Sequence, residues 1–353
     1  MGKGNEGKYY MKRNIYLLDC TLRDGGFALE SEKGKNLGFS EQTRKNIAQN
    51  LTNSAIDIIE LGALEIGESD KKNFSVFHNI CDISDLIPSK KLDNQIYAVF
   101  FRGPDIPIDL IPNWNKNLCR LIRLGVRYSE IDKSLEYCKR LCEKGYLVSV
   151  QPIVTMRYTT KDLDQVIKAA NEMNAYSVYF VDSYGSMYTD DVLRILKKYN
   201  EELCPEIKIG FHAHNNMGLA ASNVMNMISA ENERDLIIDA CCLGMGQGAG
   251  NLQTEVIVPF LNKIYKKNYD FIEVLKVCDS IAEFWKDNLW GYSVAAMIPA
   301  VYGAAYKYGL VLRNEYHYTY SQIAKILQQI PLEMKYRFTE NNIKELLKGI
   351  DSK

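Results

Sequence analysis

Two of the four histidines in this 353-residue chain, His212 and His214, lie only two positions apart. The apolar residues 207–211 that lead into them predict a short β-strand. Because side chains two apart on a strand point to the same side, both imidazoles can reach one point. Two converging imidazoles are typical of a metal site. The competing interpretation is a pair of ordinary polar strand residues, so a third ligand is needed.

The best candidate for that third ligand is Asp24, which with Arg23 follows the apolar run Ile15–Cys20. An Asp/His/His set with open coordination positions suits Mn²⁺, Mg²⁺, Co²⁺, Fe²⁺ or Zn²⁺. A divalent ion there can act as a Lewis acid, polarising a 2-oxo acid and stabilising its enolate. Arg23 adds a fixed cation suited to a developing enolate oxygen. The alternative for the Arg-Asp pair is a local salt bridge.

The composition is that of an ordinary globular protein. A net charge of −1 gives no electrostatic reason to expect nucleic acid or an anionic membrane as a partner. Nine cysteines without a Cys-x-x-Cys pair are typical of buried thiols in a reducing compartment. The polar N-terminus predicts a flexible leader over residues 1–14 and no secretory signal, so a cytoplasmic location is expected. The uncharged run 288–306 predicts a buried helix pair broken at Pro299 rather than a membrane span.

Short apolar runs alternate with amphipathic helical patterns along most of the chain. There are eight such runs, 15–20, 56–61, 96–101, 119–124, 146–154, 177–181, 207–211 and 236–243. Most are apolar nearly throughout, which favours parallel strands covered on both faces. Eight β-α units in roughly 250 residues predict a (β/α)₈ TIM barrel over residues 15–268. A doubly wound sheet is less suitable because the first strand–helix turn has no Gly-x-Gly-x-x-Gly. The strand pattern disappears afterwards, which predicts a helical C-terminal domain over residues 269–353.

Polar residues and glycines gather at the C-terminal ends of the predicted strands, where barrels of this type carry their functional residues. They include Arg23-Asp24, Glu60, Arg102, Arg127, Asp182-Ser183, His212, His214 and the glycine-rich loop 244–251. That loop can either cradle a phosphate or form a close-packed turn at the barrel mouth. Asn251, at its end, is a candidate metal ligand or a support for one.

Three motifs carry a family resemblance: Asp19-Cys20-Thr21-Leu22-Arg23-Asp24-Gly25, His212-Ala213-His214 and Gly246-Gln247-Gly248-Ala249-Gly250-Asn251. Together they resemble the DRE-TIM metallolyases, a group that includes 3-hydroxy-3-methylglutaryl-CoA lyases and isopropylmalate synthases. The likeness is greatest to the 4-hydroxy-2-oxovalerate aldolases of that group. It implies a lyase of the class II aldolase type, which cleaves a 4-hydroxy-2-oxo acid through a pyruvate-type enolate held by a divalent ion.

The resemblance also implies roles for particular residues. Asp24, His212 and His214 would bind the ion, usually Mn²⁺ in those aldolases, and Arg23 would stabilise the enolate.

Substrate contacts are implied in the same way. Asp182 and Ser183 match a pair beside the substrate, and Tyr292 matches a tyrosine that reaches the site from the C-terminal domain. The implied small-molecule partners are a 2-oxo acid and an aldehyde. A homodimer is expected, and the C-terminal domain is the place where an aldehyde dehydrogenase would dock.

One position departs from the aldolase pattern. Those enzymes carry a histidine shortly after Arg-Asp-Gly as the base for the 4-hydroxyl, whereas this chain has Phe27, which cannot take a proton. The remaining candidates for the base are Tyr292, a metal-bound water and Glu60, which is also expected to contact the substrate. An apolar Phe27 also favours a less polar acceptor.

Two other functions compete with the aldolase. One is an acyl-CoA condensing enzyme resembling isopropylmalate or homocitrate synthase, although the tail is short and helical for its regulatory domain. The other is a non-catalytic metal-binding barrel subunit. The presence of Arg23, Asp24, His212 and His214 together argues against that last function.

Overall fold

A computed structural model of the protein describes residues 13–31, 37–67, 70–231, 233–286 and 289–351. Most of the predicted leader, residues 1–12, lies outside the described residues.

The core of the molecule is a closed barrel of eight parallel strands. The sheet contains nine strands, of which all but β3 form the barrel: β1 (Ile15–Asp19), β2 (Ile58–Leu64), β3 (Val76–Phe77), β4 (Ile96–Arg102), β5 (Leu121–Val126), β6 (Leu147–Pro152), β7 (Ser177–Asp182), β8 (Lys208–Ala213) and β9 (Leu236–Ala240). The ring closes because β1 pairs in parallel with both β2 and β9, while the two-residue β3 pairs only with β2. Nearly every residue of these strands is buried, as expected for strands covered on both faces. The predicted TIM barrel is confirmed.

Helices surround this ring. They are α1 (Thr21–Ser31), α2 (Glu41–Asn53), α3 (Ile80–Ser84), α4 (Ile131–Glu143), α5 (Thr160–Glu172), α6 (Thr189–Glu202), α7 (Ala220–Ser229), α8 (Thr254–Tyr265) and α9 (Phe271–Trp285). Ser40 caps α2 by accepting a hydrogen bond from the Thr43 amide, as its sequence predicts. The connection from β4 to β5 contains only a 3₁₀ turn among the described residues.

The segment that carries Arg23 and Asp24 is a helix, whereas the sequence predicts the end of a strand. The strand β1 ends at Asp19, and α1 begins at Thr21 and continues through Gly25 and Gly26. Glycine pairs weaken isolated helices, but packing overrides that tendency here. A Cβ at Gly26 would lie 1.8 Å from the Phe74 carbonyl oxygen. The glycines therefore let α1 pack tightly at the barrel mouth.

The C-terminal part of the chain is helical, as predicted. It contains α10 (Val294–Val301), α11 (Lys307–Asn314), α12 (Tyr320–Gln328), α13 (Leu332–Lys335) and α14 (Glu340–Asp351). These helices share a second hydrophobic cluster that includes Tyr308 and Leu327, while the buried face of α9 joins the barrel cluster. The proposed domain boundary at residues 268 and 269 stays a prediction.

The expected helix break at Pro299 is wrong. Pro299 lies inside α10, where its ring is buried and the chain remains helical to Val301. The turn comes afterwards, at Gly303, whose φ of 63° lies in the left-handed region. Within the described ranges, no helix combines the length and the apolar character needed to cross a membrane.

Candidate active site and metal centre

A cavity of about 740 Å³ opens at the C-terminal ends of the barrel strands. The predicted site residues that line it are Arg23, Asp24, Ser183, His212 and His214. The C-terminal helical region adds Tyr306, Tyr336 and Arg337 to the same wall. The barrel mouth and the C-terminal region therefore form one cavity around the residues that the sequence singles out.

The innermost pair in this cavity is Asp24 and His212. Asp24 Oδ2 lies 3.2 Å from His212 Nε2, and both side chains are almost fully buried. Two donor atoms at this separation can bind the same ion, whose ligand distances are about 2.0–2.2 Å. The predicted convergence of the first and seventh predicted strand ends is therefore present for these two side chains.

The other nitrogen of His212 is fixed by a residue that sequence analysis missed. Nδ1 lies 2.9 Å from Asp239 Oδ2, and the Tyr179 hydroxyl donates to Asp239 Oδ1 at 2.9 Å. A carboxylate behind an imidazole sets its orientation and leaves Nε2 for a metal. Asp239 lies inside the otherwise apolar strand β9, and this single charge in a buried strand was the available signal.

Asp24 and His212 belong to a closed ring of buried charges. Arg23 contacts Asp24 and donates to Glu60 Oε2 at 2.8 Å. Arg123 pairs with Glu60 at 2.7 Å and with Asp239, and so completes the ring. Buried charges are tolerated only when paired, and here each charge has two partners. The ring therefore fixes the orientation of Arg23 and His212 toward the cavity.

The electrostatics of the two inner residues suit a cation. Burial opposes ionisation of Asp24, but Arg23 and His212 outweigh it and hold the pKa of the carboxyl well below its usual range. Burial likewise opposes charging of His212, yet the hydrogen bonds to Asp239 and Asp24 raise its pKa well above the ordinary value. Without a metal, the two carboxylates thus retain a positive charge on the imidazole between them.

His214 lies beside this pair. Its ring is 5.1 Å from that of His212, in an edge-to-face arrangement. Burial, with a further contribution from His212, lowers the pKa of His214 to about 3, so its imidazole is neutral at neutral pH. A neutral imidazole retains a lone pair for a metal. Its role as a ligand stays a prediction.

Asn251 also lies next to Asp24. Its Nδ2 donates to Asp24 Oδ2 at 3.1 Å, while its Oδ1 is buried and has no hydrogen-bond partner among the described residues. An unpaired buried oxygen is costly, and an amide oxygen is a suitable ligand for a hard divalent ion. A carboxylate, an imidazole nitrogen and this oxygen therefore form a donor set that fits a divalent metal.

Cys20 is a further candidate ligand that sequence analysis treated only as a buried thiol. Its sulfur and the ligand atoms of Asp24 and His212 all lie within 4.8 Å of one another. The sulfur also lies 3.4 Å from that of Cys241, on the neighbouring strand.

The other predicted substrate contacts differ in placement. The Ser183 hydroxyl accepts from the Val154 amide at 2.9 Å and lines the cavity. Asp182 instead accepts from the Ser186 and Met187 amides, at 2.8 and 3.0 Å, and so stabilises its own turn. Burial raises the pKa of Asp182 to about 6.

Glu60 and Tyr292 are not among the side chains that line the cavity. Glu60 is fully buried between two arginines. Tyr292 is 67% exposed at the protein surface. Substrate contact by either residue stays a prediction.

Phe27 occupies the cavity wall next to Arg23. Its ring packs edge-to-face on Phe100 at 6.3 Å, and the guanidinium groups of Arg23 and Arg102 lie 5.9 and 5.6 Å from its centre. This part of the cavity therefore combines an apolar surface with two cations.

The glycine-rich loop 244–251 uses its backbone groups internally. The amide of Asn251 donates to the Gly244 carbonyl at 2.9 Å, and that of Gly250 to Gln247 at 3.1 Å. Gly250 has a φ of 79°, and a Cβ there would lie 2.0 Å from the Gly244 oxygen. These contacts favour the close-packed turn over a phosphate cradle.

Fold and site together define a (β/α)₈-barrel protein with a buried carboxylate–imidazole centre able to hold a divalent cation. A family model described as HMGL-like matches residues 119–281 of this chain. The predicted family resemblance is thereby confirmed.

Individual relatives agree with this assignment. A 4-hydroxy-2-oxovalerate aldolase of Geobacillus genomosp. 3 is 27% identical over 280 residues, covering 78% of this chain and 79% of the relative. An oxaloacetate decarboxylase of Mycobacterium tuberculosis is 25% identical over 263 residues, covering 71% of each protein.

Solved structures show the same fold. The HMG-CoA lyase of Bacillus subtilis superposes with a TM-score of 0.60 at 15% identity, over 79% of this chain and 95% of that one. The carboxyl transferase domain of Rhizobium etli pyruvate carboxylase, solved with oxamate and biotin, has a TM-score of 0.66 at 14% identity. It covers 97% of this chain and 61% of that one, so the likeness includes the C-terminal helices.

Proposed function

We propose that this protein is a divalent-metal-dependent carbon–carbon lyase that cleaves a 2-oxo acid, with a 4-hydroxy-2-oxo acid as the first candidate substrate. The observation that carries this proposal is the buried Asp24–His212 pair next to Arg23 at the bottom of an open cavity. The names of two relatives, a 4-hydroxy-2-oxovalerate aldolase and an oxaloacetate decarboxylase, both describe cleavage of a carbon–carbon bond. Mn²⁺ is the ion proposed, to be held by Asp24, His212 and His214 with Asn251 as a fourth donor.

Each residue has a definite task in this proposal. A divalent ion, when bound, supplies Lewis-acid polarisation of the 2-oxo group. Arg23 places guanidinium N–H groups where negative charge develops on the enolate oxygen. Glu60 holds Arg23 in that orientation by accepting a hydrogen bond from the Nε of Arg23. Arg102, which has no carboxylate within 4.0 Å among the described residues, is the candidate partner for the substrate's own carboxylate.

The side chain at position 27 bears on which of two cleavage reactions the site can catalyse. In aldol cleavage, a base removes the 4-hydroxyl proton, the C3–C4 bond breaks, and an aldehyde and an enolate form. In decarboxylation of a 2-oxo diacid, the same bond breaks with loss of carbon dioxide, and no hydroxyl proton has to be removed. Because Phe27 cannot accept a proton, it specifically favours decarboxylation as the second candidate.

Release of pyruvate tests the proposal. The purified protein with Mn²⁺ is expected to release pyruvate from 4-hydroxy-2-oxo acids or from oxaloacetate, and chelation of the metal should remove the activity. Proton NMR in deuterated buffer should also show metal-dependent exchange of the pyruvate methyl protons, since enolisation needs no base at a 4-hydroxyl. Absence of both exchange and cleavage with every divalent ion would favour the non-catalytic subunit.

Replacing Phe27 with histidine is expected to raise cleavage of 4-hydroxy-2-oxovalerate by on the order of 10²-fold over a low wild-type rate. The adjacent cations Arg23 and Arg102 should favour a neutral imidazole that can accept the hydroxyl proton. Steady-state measurement of pyruvate release checks this. The matched control is Phe27→Leu, which changes the shape without adding a base. Equal rates for the histidine and leucine variants would show that Phe27 is not the limiting position.

Three further expectations accompany the proposal. The protein is expected to act in the cytoplasm and to form a homodimer. Docking of an aldehyde dehydrogenase on the C-terminal helices also stays a prediction.

A further inference from the structure

The lining of the active-site cavity has a marked excess of positive charge. The arginines that line it are Arg23, Arg102, Arg127, Arg157 and Arg337. Asp24 is the one carboxylate among the described residues of the same lining. The whole chain has a net charge of −1, so this excess is a local property of the cavity.

Two of these arginines are neutralised by carboxylates. Arg23 is bound by Asp24 and Glu60, and Arg127 by Asp105 and Glu130. The others, Arg102, Arg157 and Arg337, have no carboxylate within 4.0 Å in the described part of the chain. One of them suffices for the carboxylate of a 2-oxo acid, and that task is proposed above for Arg102. Arg157 and Arg337 are therefore left without an anionic partner.

Arg157 is held in place by aromatic rings. Its guanidinium carbon lies 4.4 Å from the ring centre of Tyr128 and 5.1 Å from that of Tyr336. Stacking engages the face of a guanidinium and leaves the N–H groups at its edge able to donate to an anion. The rings thus position a cation without neutralising it.

Arg337 comes from the C-terminal helical region, and its backbone is fixed there. Its carbonyl oxygen accepts from the Tyr308 hydroxyl and from Asn342 Nδ2, both at 3.0 Å. The neighbouring Tyr336 carbonyl accepts from the hydroxyl of Tyr184, which follows β7, at 2.7 Å. This last bond joins the C-terminal region to the barrel at the cavity, and Arg157 packs on the ring of Tyr336, the residue next to Arg337. One arginine therefore comes from the barrel and the other from the C-terminal region, and both line the same cavity.

We propose that Arg157 and Arg337 form an anion subsite in the outer part of the cavity. It binds a second anionic group, a carboxylate or a phosphate, at the end of the substrate opposite the 2-oxo acid. This inference rests on the proposed function, because it assumes that the 2-oxo acid occupies the inner part beside Asp24 and His212. The proposed subsite restricts the candidate substrates to doubly anionic 2-oxo compounds. It also means that the C-terminal region contributes to substrate selection.

Non-reacting ligands test the subsite without relying on turnover. The probes are 2-oxo diacids of five, six and seven carbons, each paired with the 2-oxo monoacid of the same length. Calorimetric titration of the Mn²⁺-loaded full chain is expected to show that at least one diacid binds roughly tenfold more tightly than its monoacid, the contribution of one charge-assisted contact. Arg157→Gln and Arg337→Gln should each remove most of that ratio, and Arg157→Lys should keep part of it.

Arg194→Gln is the matched control, since it removes the same charge from an exposed helix surface away from the cavity. It should leave the diacid-to-monoacid ratio at the wild-type value. Equal loss in Arg194→Gln would mean that general attraction, and not a subsite, causes the preference, and would overturn the inference. Inorganic phosphate distinguishes the two anion chemistries: competition with the diacid but not the monoacid indicates a subsite that also accepts phosphate.

The remaining outcomes separate the subsite from the proposed function. Equal affinity for diacids and monoacids, or wild-type ratios in both Arg157→Gln and Arg337→Gln, overturns the subsite while leaving the lyase proposal standing. A diacid preference that depends on both arginines, in a protein without lyase activity, supports the subsite and overturns the proposed function. Failure to bind either ligand class overturns both.

Discussion

Replacing Asp24 with asparagine is expected to abolish most Mn²⁺ binding and, with it, the lyase activity. The carboxylate contacts His212 at 3.2 Å and Asn251 at 3.1 Å, so it lies at the centre of the donor set. Loss of a residue that only supports a ligand already weakens metal binding by roughly 10–100-fold. Loss of the charged ligand itself should therefore cost at least on the order of 10²-fold in affinity.

Electron paramagnetic resonance measures this effect directly, because free Mn²⁺ has a sharp spectrum that broadens on binding. The matched control is Asp235→Asn, which makes the same change just before strand β9, at the opposite end of the barrel, where Asp235 accepts from the Asn14 amide at 2.7 Å. Circular dichroism should show that both variants are folded. Unchanged Mn²⁺ affinity in Asp24→Asn would show that the proposed metal centre is wrong.

Changing Arg23 to lysine is expected to lower turnover by on the order of 10²-fold while changing Mn²⁺ affinity much less. The guanidinium simultaneously contacts Asp24, donates to Glu60 and lies 4.8 Å from the centre of the Phe100 ring. A single ammonium group cannot reproduce this planar arrangement. Because Asp24 and His212 remain, the variant should lose stabilisation of the enolate and retain the ion.

Steady-state kinetics and the Mn²⁺ titration together separate the two effects. Arg44→Lys is a suitable control, since Arg44 is as buried as Arg23, 7% against 6% exposed, and lies on α2 outside the cavity. A fully active Arg23→Lys enzyme would exclude Arg23 from the mechanism. An equally large loss in Arg44→Lys would indicate a general effect on the fold.

The strand pattern and the proximity of Asp24 to His212 could be predicted from the sequence because both depend on local order. Apolar runs of five to nine residues recur with helical patterns between them, and this rhythm specifies a barrel. In such a barrel the C-terminal strand ends meet at one rim. The proximity of Asp24 to His212 therefore follows from the positions of two strands, although about 190 residues separate them in the chain.

Other features depend on contacts that local patterns do not encode. The helix through Gly25 and Gly26 forms because α1 packs against the Phe74 backbone, which overrides weak helix propensity. Arg123 and Asp239 look like isolated charges in apolar strands, and only barrel closure shows that each one neutralises the other. Because the two residues are far apart in the sequence, no local spacing pattern predicts that they pair.

The amino-acid sequence by itself determined the barrel, the family resemblance and the metal-site candidates, because strand periodicity and short motifs indicate them directly. The tertiary structure alone decided what surrounds that centre. It placed Tyr292 at the surface and brought Arg337 to the cavity, since the path of the C-terminal helices depends on how their apolar faces pack. The direction of a side chain on a packed helix is set by its neighbours in space, which the order of residues does not reveal.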